Sequence, residues 1–345
     1  MAPVPPVLVQ PSPQLPAAAR QAMLALARAG DRLVAVGEQG IVLLSDDHGA
    51  NWRQARVQVS VTLTAVRFAD ARRGWAVGHM GVVLATEDGG ETWQTRLDGV
   101  TAAQRVLAEA EATARAATAG ARERAERALE DARRLVEEGP DKPFLDVFFI
   151  DAQRGFVLGA YNLIFRTSDG GQSWQPWSAR VPNPMGMHLY GMAATAEALF
   201  VVGEQGTLLR ADLGGERFEA LDSPYDGSFF GVVAMPDGAV VTFGLRGHAF
   251  RSDDGGDTWI ELDSGQGESI AAGALLDDGR VMLSSQAGAV LVGADDGRRL
   301  MPLEGVPPLP LAAVAQAADG GLVAAGLMGV LRLNGLSDVA GSASR

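Results

Sequence analysis

VAVGEQGIVLLSDDHGANWRQ occupies Val34–Gln54, and WAVGHMGVVLATEDGGETWQT follows at Trp75–Thr95. The phrase returns as FVLGAYNLIFRTSDGGQSWQP at Phe156–Pro176, FVVGEQGTLLRADLGGERFEA at Phe200–Ala220 and VTFGLRGHAFRSDDGGDTWIE at Val241–Glu261. Weaker copies begin at Val281 (VMLSSQAGAVLVGADDG) and Leu322 (LVAAGLMGVLRLNG). Aligned on one small residue, the copies fall at Gly37, Gly78, Gly159, Gly203, Gly244, Ser284 and Gly326, with gaps of 41, 81, 44, 41, 40 and 42. The gap of 81 is one repeat plus an insertion.

A period of about 40–50 residues with several short alternating segments per unit predicts a β-propeller. Seven copies predict seven four-stranded blades. In the second unit the pattern places an inner strand at 62–69, a second at 74–78, a third at 81–87 and an outer strand at 92–97. The last unit runs out near Asn334. The apolar run Val7–Val9 in the N-terminal arm is therefore expected to supply the missing outer strand of blade seven. The whole chain, 1–345, reads as a single all-β propeller domain carrying one helical insertion at 101–139.

Composition narrows the function. Of 345 residues, 47% are hydrophobic and 21% charged, which supports a packed core. The 43 glycines fit a fold of many turns. Net charge is −13, and Lys142 is the sole lysine, so non-specific phosphate binding is disfavoured. Absence of cysteine excludes a disulfide scaffold, thiolate metal sites and a cysteine nucleophile. The four histidines show no metal-ligand spacing, and no cofactor or metal site is expected. No apolar run reaches the ~18 residues of a membrane span. The first residues carry no signal-peptide pattern. That is compatible with an exported, periplasmic chain whose leader has been removed, or with a cytoplasmic protein.

Four units carry S/T-x-D-x-G-x-x-W: Ser45/Asp47/Gly49/Trp52, Thr86/Asp88/Gly90/Trp93, Thr167/Asp169/Gly171/Trp174 and Ser252/Asp254/Gly256/Trp259. In the fourth unit it has decayed to Ala211/Leu213/Gly215/Phe218. The carboxylate is suited to accept turn amides, the glycine to adopt positive φ, and the tryptophan to bury a large face. Spread over separate blades, these aspartates read as structural, not catalytic. The motif resembles the Asp-box of BNR-repeat propellers. VRFADARRGWAVG (Val66–Gly78) and VFFIDAQRGFVLG (Val147–Gly159) add a second signature. Together they resemble the photosystem II stability/assembly factors and their bacterial homologues. The resemblance implies a non-catalytic seven-bladed propeller on the periplasmic or lumenal side of a membrane, supporting an integral membrane complex. In non-photosynthetic bacteria it implies a partner of the RND exporter class. The acidic charge and the insertion depart from the photosynthetic pattern, which uses a basic patch.

Sialidases share the Asp-box, so a glycan-binding or glycan-cleaving propeller is the alternative, and a cytoplasmic interaction platform is a third. A sialidase site needs an arginine triad and a tyrosine nucleophile paired with a glutamate. Tyr161, Tyr190 and Tyr225 are the tyrosines, and no partnered glutamate is evident for any of them.

The aspartate turns and the G-x-x-G turns must lie on opposite faces of a meandering blade. Variable residues within the latter ring the axis: Glu38/Gln39, His79/Met80, Tyr161/Asn162, Glu204/Gln205, Leu245/Arg246, Gln286 and Leu327/Met328. Loops on a rigid scaffold concentrate binding residues, so these are candidates for partner contact. They read equally as solvated turns. Met185, Met187, His188 and Tyr190 lie in the long segment 178–191, which suits an adaptable apolar contact. Tyr225 and Phe229, in PYDGSFF, join the same face.

The insertion 101–139 is alanine-rich and free of proline, with seven arginines against eight acids. Leu107, Leu135 and the alanines between them recur every three or four positions, which predicts helix, either one continuous helix or two turning near Gly120; the hairpin is favoured because both ends must return to neighbouring blades. This hairpin is expected to emerge on the G-x-x-G face and dock against a helical envelope partner.

Overall fold

A computed structural model describes residues 4–294 and 298–333. Within each sheet, every strand pairs antiparallel with its neighbours in sequence. Blade one comprises Met23–Ala29, Arg32–Gly37, Val42–Ser45 and Arg53–Gln54, counted from the axis outward; blade two comprises Leu63–Phe68, Gly74–Gly78, Val83–Thr86 and Gln94–Leu97. Consecutive inner strands touch, and that of blade seven, Leu311–Gln316, touches that of blade one. The ring is a closed seven-bladed propeller.

Its core lies in the joints between blades. Val34, Leu44, Val66 and Leu84 fill the joint of blades one and two; Trp75, Val83, Phe144 and Phe165 fill the next. Met23, Ala35, Ala313 and Ala325 fill the joint that closes the ring. Each second strand is therefore covered on both faces, and Gly74–Gly78 and Val240–Gly244 are buried throughout.

The recurring glycine has a steric cause. A Cβ at Gly37, Gly78 or Gly244 would stand 2.1 Å from the carbonyl oxygen that precedes the inner strand, Ala22, Thr62 and Ser228 respectively. The next amide donates to that same oxygen: Glu38 to Ala22 (3.1 Å), His79 to Thr62 (2.9 Å) and Leu245 to Ser228 (2.9 Å). Blade six corrects the sequence alignment by one residue. Ser285 there pairs with Ile270 as Gly78 pairs with Leu63, and Gln286 donates to Ser269. Ser285, not Ser284, is the anchor, and the spacing about it becomes 41 on both sides.

The N-terminal arm also departs from expectation. Pro6–Leu8 is a single 3-10 turn, Leu8 packs with Val57, Val59 and Val61, and Ser60 donates to the Val7 carbonyl (2.9 Å). The arm lies along the connection between blades one and two. Prolines at 3, 5, 6, 11 and 13 remove the amides a strand would need. Blade seven, Leu311–Gln316, Leu322–Gly326 and Gly329–Leu333, has three strands among the described residues. Asn334, where the last repeat was expected to end, lies outside them.

Each aspartate turn repeats one set of bonds. In blade one the Ser45 hydroxyl donates to Asp47 (2.9 Å) and accepts from the Gly49 amide (2.8 Å), while the Asn51 amide donates to Asp47 (2.8 Å). Trp52, Trp93 and Trp259 each donate from Nε1 to the glycine carbonyl of their own turn. The turns also bind the preceding blade. Arg32 donates to Gly89 (3.0 Å), Trp75 to Gly170 (3.1 Å), Trp177 to Gly215 (2.7 Å) and Arg210 to Gly255 (2.8 Å). Arg332 of blade seven donates to His48 of blade one, across the joint that closes the ring. Closure thus uses the same kind of bond as the first four joints.

The Asn51 side chain, with the Asn51 amide and Ser45, holds the Asp47 carboxyl at about 2; the Thr258 hydroxyl and amide with Ser252 hold Asp254 at about 2. At Asp88 burial pushes upward, but bonds from Thr92 and Thr86 outweigh it and the carboxyl is lowered.

Two expectations follow. Trp93 is 3% exposed and edge-on to Phe68 at 6.2 Å, so Trp93→Ala should cost about 3–5 kcal/mol in urea melts, and half-buried Trp259→Ala less. Because Asp254 is held at about 2, below the ordinary 3.8, its contribution is complete above pH ~4 and lost as pH falls toward ~2. Asp254→Asn should therefore flatten the decline of stability over that interval; an unchanged slope contradicts the assignment.

Candidate functional site

The anchor turns crowd one face of the ring. In five of them the middle residue has a left-handed backbone: Gln39 (φ 55°), Met80 (57°), Tyr161 (55°), Gln205 (51°) and Arg246 (57°). Non-glycine residues seldom adopt this region, so the crossing below each turn holds them there.

A second device shapes the same face. Each inner strand is bulged at its second residue, among them Leu24, Thr64, Tyr190 and Phe230. A bulge redirects its side chain. In blades four and five that residue is aromatic, and Tyr190 meets Phe230 edge-on at 5.5 Å. The row continues through His188, 6.2 Å from Tyr190, to Tyr161, 4.7 Å from His188. Lys142 Nζ lies 5.3 Å above Tyr161. Glu204 accepts from the His188 amide at 3.2 Å. Burial, with the Glu204 charge, pushes the Tyr190 phenol upward.

Asn183 ties the long loop down. Its side chain donates to Asn162 (3.1 Å) and the Met187 carbonyl (2.8 Å) and accepts from the Met187 amide (3.0 Å). Met185 beside it is 77% exposed and Tyr161 63%. The structure thus gathers Tyr161, Asn162, Met185, Met187, His188, Tyr190 and Glu204 into one patch. Tyr190 is a strand residue, not the inter-blade residue expected.

Other expected residues lie elsewhere. Phe229 is 0% exposed and belongs to the core; its neighbour Phe230 is half-buried and meets Tyr190. Tyr225 packs on His248 at 4.3 Å, and His248 meets Glu261 at 2.6 Å. Arg246 lines an open hollow of about 470 Å³ there. Glu38, Gln39, His79, Gln205 and Gln286 are exposed turn residues, Met80 and Leu245 are half-buried, and Leu327 and Met328 are exposed on blade seven. Sequence reading missed Phe230, Asn183 and Lys142, and the bulge that re-aims Phe230 leaves no mark on the alternation.

The insertion is a helical hairpin, α1 (Gly99–Ala116) and α2 (Arg122–Glu138), with Gly120 in the turn. Asp98 starts it by accepting from the Thr101 amide (2.8 Å). Gly99 sits against Gly81, which seats the hairpin on the anchor turn of blade two. Its base is built into the joint of blades two and three: Ala102, Val106 and Leu135 pack with Phe165 and Trp174, and Arg105 donates to the Trp174 carbonyl. Leu135 therefore faces the propeller rather than a partner; Leu107 is half-buried. Distally the exposed surface carries ion pairs such as Arg127–Glu123 (2.8 Å).

A further cavity of about 480 Å³ opens along the axis on the aspartate-turn face, lined by Arg28, Arg67, Phe68, Phe148 and Leu275 among others. Among the described residues no cluster of histidines and acids is arranged to hold a metal, and no helix is long and apolar enough to cross a membrane.

The family model "Photosynthesis system II assembly factor YCF48" matches residues 44–109 and 126–299, more than half of the chain. This chain belongs to the YCF48 family. The break in the match, 110–125, coincides with the distal half of the hairpin. The Photosystem II assembly lipoprotein Ycf48 of Synechococcus sp. (strain CC9902) is 30% identical over 77 residues, 22% of this chain and 23% of that protein; the alignment thus spans about a quarter of the relative's length. Among solved structures, "YCF48 bound to D1 peptide" aligns with TM-score 0.65 at 16% identity, covering 94% of this chain and 96% of that one. YCF48 from Cyanidioschyzon merolae aligns with TM-score 0.63 at 14% identity, covering 94% and 98%. The WD40 propeller domain of Doa1 follows at 0.64 and 11%, covering 94% and 95%, so these likenesses establish the fold.

Base and tip of the hairpin should respond differently to removal. Replacing 115–124 by a short Gly-Ser turn should change stability by less than about 0.5 kcal/mol, as for other exposed surface. Deleting 101–139 uncovers the Phe165–Trp174 cluster and should cost about 2–4 kcal/mol. Equal urea midpoints for the two deletions contradict this division.

Proposed function

We propose that this propeller is a non-catalytic assembly or accessory factor that captures a segment of an integral membrane protein on its anchor-turn face, outside the cytoplasm. The observation that carries the reading is the patch of exposed Tyr161 and Met185 around His188 and Tyr190, held on turns whose backbone the fold fixes. Rigid aromatic anchors beside an adaptable methionine suit peptide recognition. Membership of an assembly-factor family supports the reading, as does a solved relative with a bound D1 peptide. The relatives' names point to a photosystem protein; an RND exporter is the partner class this reading carries for a non-photosynthetic host. The distal hairpin, outside the family match, would add a host-specific contact.

The glycan-cleaving alternative fares worse. A tyrosine nucleophile of that type needs its glutamate within hydrogen-bond reach, and among the described residues Glu204 acts on Tyr190 through its charge, without a hydrogen bond. The cation over this cluster is one lysine, Lys142, where a sialidase-type site requires three arginines.

The test is capture from detergent-solubilised membranes of the native host, read by mass spectrometry. The wild-type chain should recover one integral membrane protein in near-stoichiometric amount. Tyr161→Ala with Met185→Ala should lower recovery about tenfold at an unchanged melting temperature, since hot-spot residues dominate such interfaces. Arg72→Glu, on the opposite face, should leave recovery intact. Recovery unaffected by the double variant, or binding to a glycan array in place of membrane protein, overturns the proposal.

A further inference from the structure

The aromatic patch has a chemical preference. Its members are Tyr161, His188, Tyr190 and Phe230 in one row, with the Glu204 carboxylate beside His188. Aromatic faces attract cations through the ring quadrupole, and a half-exposed carboxylate at the same place adds a direct charge partner. The molecule already makes such a contact with itself. Lys142, the chain's one lysine, is held by Glu138 (3.0 Å) and Asp141 (2.6 Å) with its ammonium 5.3 Å from the Tyr161 ring centre. Tyr161 remains 63% exposed beneath that contact. The net charge of −13 would draw a basic segment towards the ring at low salt.

We infer that the Tyr161–His188–Tyr190 row and Glu204 form a receptor for a basic side chain, an arginine or lysine in an extended segment of the partner protein. Guanidinium is the better occupant, because it stacks on rings and forms two parallel bonds to a carboxylate. The inference rests on the proposed partner-binding role of this face and names the chemistry it selects.

The probe is a blocked pentapeptide, acetyl-Gly-Gly-Arg-Gly-Gly-amide, titrated into the full chain labelled at methionine methyls. Met185 and Met187 report the site. Their signals should shift saturably with the arginine peptide and more weakly with its lysine counterpart. They should stay still with citrulline, which keeps the shape of arginine and removes the charge. Raised salt should weaken the response. Glu204→Gln should lower affinity about fivefold and Tyr161→Leu by a similar factor, with melting temperatures unchanged. Equal response to citrulline, or arginine binding indifferent to both substitutions, overturns the inference. Loss of membrane-protein capture on Tyr161→Ala without any loss on Glu204→Gln would keep the face as the partner site and overturn the cation assignment. A charge-dependent peptide response with no membrane partner recovered would keep the receptor and overturn the membrane reading.

Discussion

One backbone crossing organises this molecule. In blade after blade, the chain leaving the second strand passes so close to the entrance of the first that a Cβ would overlap a carbonyl oxygen, as at Gly78 over Thr62. The following amide bonds to that oxygen, and the turn is pinned with its middle residue at positive φ. Everything functional on that face stands on this contact. Tyr161 presents its ring to solvent because the strand below leaves its backbone no freedom to withdraw. The hairpin starts where Gly99 nests against the equivalent turn of blade two.

The opposite face works by a different bond. There an aspartate satisfies the amides of a turn, which frees a carbonyl to receive a donor from the preceding blade. The donor varies, being arginine at Arg32, Arg210 and Arg332 and tryptophan at Trp75 and Trp177. The acceptor is always the turn. Blade four has lost the aspartate motif and accepts one residue further on: Gly215, which aligns with Gly49 and Gly90, takes the bond from Trp177 at 2.7 Å. The turn thus keeps a bond to the preceding blade without the carboxylate, but through a carbonyl one position further along.

These two bonds explain what could be read from the chain. The crossing repeats every 41 residues or so, apart from the insertion, and leaves a glycine in six of the seven blades, so blade number and face assignment were legible. Where blade six substitutes Ser285, the alignment slipped by one onto Ser284. The donors between blades left no trace, because they differ in chemistry and lie far from their acceptors, up to 284 positions for Arg332 and His48. The bulge at Tyr190 and Phe230 was equally silent, and Phe229 was chosen in place of its neighbour. The N-terminal arm misled through its valines; its prolines, which exclude it from a ladder, were the stronger signal.

The way the circle is completed bears on how the chain acquires its shape. No strand in the described residues pairs with one distant in sequence, so each sheet is a local meander whose contacts form over short loops. Blades can order one after another as synthesis proceeds, each docking on the last. Only the final joint, Met23 and Ala35 against Ala313 and Ala325, requires the two ends of the polypeptide to meet. The entropy of closing so long a loop grows only logarithmically with its length. Ring closure is thus a late docking event between preformed sheets, and new chain ends placed at any other joint would leave the same set of local meanders to assemble.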